Sequence, residues 1–163
     1  MLSAKMQTAF NEQIQKELYS AYLYLAMSNH FDNKNLPGFA KWLLLQFQEE
    51  QEHAFKFIRH VQDRGGKVVL EAIQKPQGEW DSNLAAFKQV LEHEQYVTAS
   101  INSLYETALA EKDYPAQILL QWFIDEQVEE EKNASDVIAQ LELIEERGTA
   151  MLMLDHQLAK RGG

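Results

Sequence analysis

The sequence has no cysteine, and among its 163 residues there are only 7 glycines and 3 prolines. Without cysteine, the chain can form neither a disulfide framework nor a thiolate metal site. No apolar run approaches the roughly 20 residues that a membrane-spanning helix requires. The first ten residues, MLSAKMQTAF, also lack the basic-then-apolar layout of a signal peptide. We therefore expect a cytoplasmic protein with no membrane partner.

The charge of the chain is strongly one-sided, with a formal net charge of −10 at neutral pH. A chain this acidic repels nucleic-acid phosphates and attracts cations, so we expect no nucleic-acid partner. Apolar residues make up 45% of the sequence and charged residues 25%, which is typical of a globular protein. The length suits one domain, residues 1–163, that can bury a substantial core.

Glycine and proline fall between segments of helical periodicity, so these segments read as separate helices. Ser3 is suited to cap the first helix, Asp81 or Ser82 the third, and Thr149 the last, while Pro37 suits a first turn. Arg147 and Gly148 are expected to end the fourth helix. The predicted helices span about 3–32, 37–64, 82–112, 113–146 and 149–161.

The segment from 66 to 81 has no helical period and contains Pro76 and Gly78. A helix of 28 residues is about 42 Å long, and sixteen extended residues reach at most roughly 53–58 Å. This segment can therefore run the full length of a bundle, whereas the other connections are short and join antiparallel neighbours. The sequence predicts an all-α fold: a four-helix bundle with one long crossover between helices 2 and 3, plus a short C-terminal fifth helix.

The inward-facing stripe of each long helix is apolar except near its middle, where one glutamate interrupts it. These glutamates are Glu17, Glu50, Glu94 and Glu130, and His53 shares the face of Glu50 three residues earlier. An unpaired buried carboxylate costs several kcal/mol and tends to protonate. No lysine or arginine lies on these stripes, so we expect the neutralising cation to come from outside the chain.

Charge and ligand type indicate which cation this is. Four carboxylates balance two divalent ions, and oxygen ligands with one imidazole favour a di-iron carboxylate site. Zinc prefers a tetrahedral site richer in nitrogen or sulfur, and calcium prefers a flexible loop of oxygen ligands. Carboxylates on facing helices can bridge two metals, so Glu50 would bridge them while His53 binds one of them.

Several segments closely resemble the non-haem bacterial and archaeal ferritins: QKELYSAYLYLAMS, FQEEQEHAFKF, GEWDS, EHEQYVTASI and FIDEQVEEE. The resemblance covers nearly the whole chain. It implies a ferroxidase that oxidises Fe(II) with dioxygen or hydrogen peroxide and stores the product as ferric mineral. It also implies a homo-oligomeric shell of 24 subunits in which the fifth helix lines the four-fold axes.

The same resemblance implies a di-iron centre in which Glu50 is shared between two irons. The implied ligands are, for the first iron, Glu17, Glu50 and His53 and, for the second iron, Glu50, Glu94 and Glu130. Gln127 would line the second position, and Tyr24 would form a hydrogen bond nearby.

A third iron position beside the pair is also implied, with Glu49, Glu126 and Glu129 as its ligands. Taken without the resemblance, Glu126, Glu129 and Glu131 could equally be a solvated acidic face.

Related families fit less well. Haem-containing bacterioferritins carry Glu-x-x-His on the fourth helix, where this chain reads Gln127-Val128-Glu129-Glu130, and a haem-binding methionine where it has Gln51. We therefore expect no haem. The DNA-protecting mini-ferritins build their iron site between subunits, whereas this chain carries ligands on all four of its own helices. A rubrerythrin-like di-iron peroxidase or oxidase that stores nothing stays open as the alternative function.

Other notable side chains are given structural roles. We expect Tyr24 and Trp122 to pack in the core rather than take part in redox chemistry. The remaining histidines are expected to be surface or packing residues without specific partners: His30, His60, His93 and His156. The apolar residues of 149–161 cover more than one side, which predicts that this segment serves the assembly more than the subunit fold.

Overall fold

A computed structural model describes residues 1–145 and 147–162. These residues contain five α-helices and no strand: α1 (Ala4–Asn33), α2 (Pro37–Asp63), α3 (Asn83–Ala110), α4 (Tyr114–Ile144) and α5 (Gly148–Leu158). The predicted all-α architecture is confirmed. The expected end of the fourth helix near Glu146 falls on a residue outside the described part. No helix in that part is long and apolar enough to cross a bilayer.

Three of the long helices, α1, α3 and α4, begin directly after a capping side chain. The side chains of Ser3, Ser82 and Asp113 each accept a hydrogen bond from the backbone N–H three residues later, at 3.2, 2.9 and 3.1 Å. Pro37 occupies the first turn of α2, where its missing N–H is not needed. Gly65, with φ of +72°, takes the left-handed conformation that follows the end of α2.

The long connection between α2 and α3 runs along the bundle. The side chain of Asn11, on α1, donates to the carbonyl of Lys67 at 3.0 Å and accepts from the N–H of Val69 at 3.0 Å. Trp80, near the other end of the connection, is 7% exposed. Short loops join α1 to α2 and α3 to α4, and these pairs pack against each other.

The apolar core is divided into two clusters. One contains Phe31 and Phe87, with ring centroids 5.9 Å apart, and the other contains Phe57 and Phe123, stacked at 4.0 Å. Along each long helix, the members of one cluster are separated from those of the other by the mid-helix glutamate. The glutamates therefore share one level between two apolar regions.

The start of α5 differs from the sequence prediction. Glu145 takes the left-handed conformation at the end of α4, with φ of 50°. Arg147 is then extended and occupies the N-cap position without a capping side chain, and Gly148 is the first helical residue. The predicted cap at Thr149 is therefore wrong, because the reversal at Glu145 lets the helix begin before Thr149.

One face of α5 packs into the subunit. Met151, Leu154 and Leu158 are buried in the apolar cluster that contains Phe31. The carboxylate of Asp155 accepts the backbone N–H of Phe39 at 3.0 Å. Contrary to the sequence expectation, this segment is therefore part of the subunit's own core as well as carrying an outward apolar face.

The contact between α5 and α2 is close enough to require glycine. A Cβ at Gly38 would lie 1.7 Å from the carbonyl oxygen of Asp155. On the opposite face of α5, Leu152 is 62% exposed and Met153 is 71% exposed.

Candidate metal centre

Six buried polar side chains form a layer between the two apolar clusters, which we call the polar layer. Its members are Glu17, Glu50, His53, Glu94, Gln127 and Glu130, and none is more than 4% exposed. They come from all four long helices because each lies on the inward stripe of its helix at the same level. Every glutamate that the stripes singled out is thus buried.

The tightest grouping is formed by Glu17, Glu50 and His53. Nδ1 of His53 lies 3.4 Å from Oε2 of Glu50 and 3.8 Å from Oε2 of Glu17. All three atoms are buried and none has a hydrogen-bond partner. Since buried polar atoms are almost always paired, three that converge without partners indicate a place for a cation. Their spacing is suitable for holding one metal ion.

A second grouping uses the other nitrogen of the same imidazole. Nε2 of His53 lies 3.9 Å from Oε1 of Glu126, and His53, Glu126 and Glu130 are close enough together to hold a metal ion. The family resemblance implied that Glu126 belongs to a third iron position, apart from the di-iron ligands. In the structure, Nδ1 of His53 faces Glu17 and Glu50, whereas Nε2 faces Glu126. His53 therefore lies between the di-iron ligands and Glu126.

Glu94 is engaged by hydrogen-bond donors. The hydroxyl of Tyr24 donates to one of its carboxylate oxygens, and the amide of Gln127 donates to the other at 3.1 Å. The same amide reaches the hydroxyl of Thr98 at 3.3 Å. Tyr24 and Gln127 therefore lie beside Glu94, the neighbourhood that the resemblance implies for them.

Two glutamines that the sequence analysis did not identify hold carboxylates in place. Gln13 donates to Oε1 of Glu17 at 2.7 Å, and Gln46 donates to Oε2 of Glu130 at 2.8 Å. Each bond leaves the other carboxylate oxygen free for a cation. Gln13 could have been found from its position four residues before Glu17. Gln46 reaches from α2 to α4, so no local pattern reveals it.

Burial controls the protonation of the polar layer. It raises the pKa of Glu17 to about 7 and that of Glu130 to about 8, and it raises the pKa of Glu50 well above 4.5, with further contributions from neighbouring carboxylates. Burial lowers the pKa of His53 to about 4. The imidazole is therefore neutral near pH 7 and keeps a lone pair for a metal, while an arriving cation displaces protons from the carboxyls.

Three acidic residues lie just outside the polar layer, and we call Glu49, Glu126 and Glu129 the outer acidic group. Glu49 and Glu126 are half-buried and Glu129 is exposed. Burial raises the pKa of both Glu49 and Glu126, and the charge of Glu129 raises it further in each case. Glu131 accepts a hydrogen bond from Thr98 at 2.6 Å, so it is engaged away from this group.

Trp122 corrects one expectation. It is 38% exposed rather than buried in the core, and its ring lies edge-on to His53 with centroids 5.6 Å apart. The ammonium of Lys56 lies 4.3 Å from its centroid. Trp122 thus covers His53 on the solvent side. Tyr24, in contrast, is fully buried, as expected.

His93 also differs from expectation, because it has a specific partner. Its Nε2 lies 2.7 Å from the hydroxyl of Ser20, and its ring contacts Tyr19 and Tyr24 with centroids 5.7 and 6.0 Å away. Burial lowers the pKa of His93 to about 4. Ser20 lies on α1 and His93 on α3, so the contact joins two helices. No local sequence pattern reveals such a contact.

The fold and site together define a four-helix bundle with a buried carboxylate–histidine centre, and comparison with known proteins identifies the family. The sequence matches the Ferritin-like domain over residues 7–144. It is 37% identical to the bacterial non-heme ferritin of Bacteroides fragilis over 161 residues, covering 99% of this chain and 100% of that protein. It is also 37% identical to the corresponding Campylobacter jejuni protein over 158 residues, with 97% and 95% covered.

Solved structures agree with this result. The open-pore ferritin of the archaeon Archaeoglobus fulgidus superposes with a TM-score of 0.97 at 49% identity, covering 99% of each chain. The chain therefore belongs to the ferritin family, as its sequence resemblance implied.

Proposed function

We propose that this protein is an iron-storage ferritin that oxidises Fe(II) at a di-iron ferroxidase centre within each subunit. The observation that carries the proposal is the convergence of three unpartnered buried atoms, Oε2 of Glu17, Oε2 of Glu50 and Nδ1 of His53. Membership of the ferritin family supports iron as the substrate. Glu94 and Glu130 complete the ligands for a second Fe(II).

The chemistry follows from the charge of the polar layer. Four carboxylates favour Fe(III) over Fe(II), because the added positive charge is stabilised by nearby negative charge in a region of low dielectric. Two Fe(II) ions give up two electrons, which together with two protons convert one dioxygen to hydrogen peroxide, or one hydrogen peroxide to two water molecules. Gln13 and Gln46 orient Glu17 and Glu130, so each presents a free oxygen to the metal.

The outer acidic group is proposed as a third, weaker iron position that passes iron onward. Its greater exposure and the 3.9 Å separation between Nε2 of His53 and Glu126 support this role. One imidazole thus faces the inner ligands through Nδ1 and the outer acids through Nε2. Iron could then move from one set to the other over a short distance.

We also propose that residues 1–163 form one ferritin-like domain and that 24 copies assemble into a shell without haem. The outward apolar face of α5 and the similarity to bacterial and archaeal ferritins support an assembly of identical subunits. The cytoplasmic location stays a prediction from the sequence.

The experiment is aerobic Fe(II) oxidation, followed by absorbance of the ferric product, in the wild type and in Glu50→Ala. We expect the fast initial phase to be lost in Glu50→Ala, since Glu50 serves both irons. Glu52→Ala, the same change at an exposed position on the same helix, is the matched control and should oxidise at the wild-type rate. Wild-type speed in Glu50→Ala would refute the site.

Storage is tested separately by shell mass and iron content. A 24-subunit particle that retains many irons per subunit after gel filtration would support storage. A small oligomer retaining about two irons per subunit would instead favour the rubrerythrin-like peroxidase or oxidase.

A further inference from the structure

The residues that follow α5 return to the outer acidic group. The carbonyl of Ala159 accepts a hydrogen bond from the ammonium of Lys41 at 2.7 Å, and the N–H of Arg161 donates to the carbonyl of Leu158 at 3.2 Å. The Lys41 bond holds residues 159–162, which we call the C-terminal arm, against α2, and the Arg161 bond continues the turn at the end of α5. The arm therefore has a defined path up to the side chain of Arg161.

The guanidinium of Arg161 is held on two sides. Its Nη2 donates to Oε2 of Glu49 at 2.7 Å, and its central carbon lies 4.4 Å from the ring centroid of Trp42, which is 4% exposed. The side chain of Arg161 is 21% exposed. Stacking on the buried ring of Trp42 constrains the plane of the guanidinium, which a surface ion pair alone does not do.

Arg161 is thus already bonded to Glu49, one of the three carboxylates of the outer acidic group. Glu49, Glu129 and Arg161 line the same groove, which has a volume of about 600 Å³. A divalent cation arriving at Glu49 meets a positive charge already bonded to the oxygen it requires.

We propose that Arg161 is a positioning residue for the outer acidic group: it holds Glu49 oriented and competes with the incoming cation for it. The C-terminal arm then weakens cation retention at this position and favours transfer of iron onward. The inference rests on the proposed role of Glu49, Glu126 and Glu129 as a third metal position. Arg161, which follows α5 and lies outside the four-helix bundle, would then affect cation binding at that position.

The test uses the assembled full-length protein and Zn²⁺ alone, which binds without redox chemistry, in isothermal titration calorimetry. Glu49→Gln first identifies the binding step that belongs to the outer acidic group, because that step should be lost. Arg161→Gln should then bind Zn²⁺ at this step about fivefold more tightly, as expected for removal of one partly exposed ion pair. Binding to the polar layer should not shift in parallel.

Two control variants separate charge from structure. Lys160→Gln removes the same charge from an exposed side chain that lines the same groove but pairs with no carboxylate in the described part of the chain, so it should tighten the outer step less than Arg161→Gln does. Arg161→Lys keeps the positive charge but loses the planar group that stacks on Trp42, so its outer affinity should lie between those of the wild type and Arg161→Gln. In the Glu49→Gln background, Arg161→Gln should have no further effect, since the competition requires Glu49.

The outcomes distinguish the two proposals. If Glu49→Gln leaves every Zn²⁺ step intact, the third metal position itself is wrong. If Glu49→Gln removes the outer step but Arg161→Gln binds Zn²⁺ no more tightly than wild type, the third position stands and the role of Arg161 is overturned. An equal gain in Lys160→Gln would also overturn it, because general charge would then explain the effect.

Discussion

Gln46, on α2, donates a 2.8 Å hydrogen bond to Oε2 of Glu130, on α4. Both side chains are buried, with exposures of 0% and 4%. The bond ties together two helices that are not neighbours in sequence, and it fixes which oxygen of Glu130 remains available to a cation. Hydrogen-bond partners of metal ligands commonly affect metal affinity or activity by about 10–100-fold.

The first prediction follows from this contact. Gln46→Ala should slow Fe(II) oxidation by about tenfold or more, because Glu130 loses the donor that orients it. Stopped-flow absorbance measures the rate. Gln48→Ala, an exposed position two residues later, is the control and should behave like the wild type. Equal rates in the two variants would mean that Glu130 needs no such support.

The second prediction concerns stability without metal. Glu50→Gln should raise the free energy of unfolding of the metal-free protein by about 1 kcal/mol, because it removes a buried carboxyl whose pKa is raised by burial and by its neighbours. Denaturant unfolding after chelation measures this. Adding Zn²⁺ should reverse the order, since the wild type gains more from binding. A less stable metal-free variant would show that Glu50 contributes more by hydrogen bonding than it costs by burial.

The third prediction is the pH dependence of the metal-free protein. Glu17 and Glu130 have folded pKa values of about 7 and about 8, against a usual value of 4.5, so between these values the folded state binds more protons than the unfolded state. Their contribution to stability is therefore present at low pH and lost as pH rises. His53 acts oppositely between about 4 and 6.5, because the unfolded state binds its proton first.

The two effects oppose each other below pH 6.5, so the decline in stability should emerge between about pH 6.5 and 8. Thermal unfolding of chelated protein across this range measures the decline. Glu130→Gln should flatten it, whereas Glu52→Gln should not. A stability that rises from pH 6.5 to 8 would contradict the raised pKa values.

The fourth prediction concerns α5. Gly38→Ala should destabilise the protein by about 1–3 kcal/mol, because the new methyl group would lie 1.7 Å from the backbone oxygen of Asp155. Gly78→Ala is the matched control, since a Cβ there meets no atom within 4 Å. Thermal unfolding compares the two. Equal melting temperatures would mean that α5 shifts away from α2 without loss, and that its buried face matters little.

The helices and the polar layer could be predicted because both depend on local rules. Ser3 and Ser82 cap helices by contacts only three residues long, and a buried stripe recurs with the period of the helix. The sequence pattern therefore identifies a glutamate on that stripe, such as Glu94, without any information about the helix that packs against it.

The features that the sequence did not reveal arise between segments distant in the chain. Gln46 reaches Glu130 across 84 positions, and Arg161 reaches Glu49 across 112. Such contacts depend on how helices are rotated against each other and on which rotamer a long side chain adopts. The burial of Met151 could not be foreseen either, since an apolar face does not show whether its own subunit or another copy covers it.

The division of the apolar core into two clusters has a consequence for redesign. Phe31 and Phe87 pack one end of the bundle and Phe57 and Phe123 pack the other, so the apolar packing lies on either side of the polar layer rather than within it. Ligand sets for other cations, with a second histidine in place of Glu94 for instance, could be installed at this level while both anchoring ends stay unaltered. The chain is in this sense a scaffold whose polar middle and apolar ends can be varied separately.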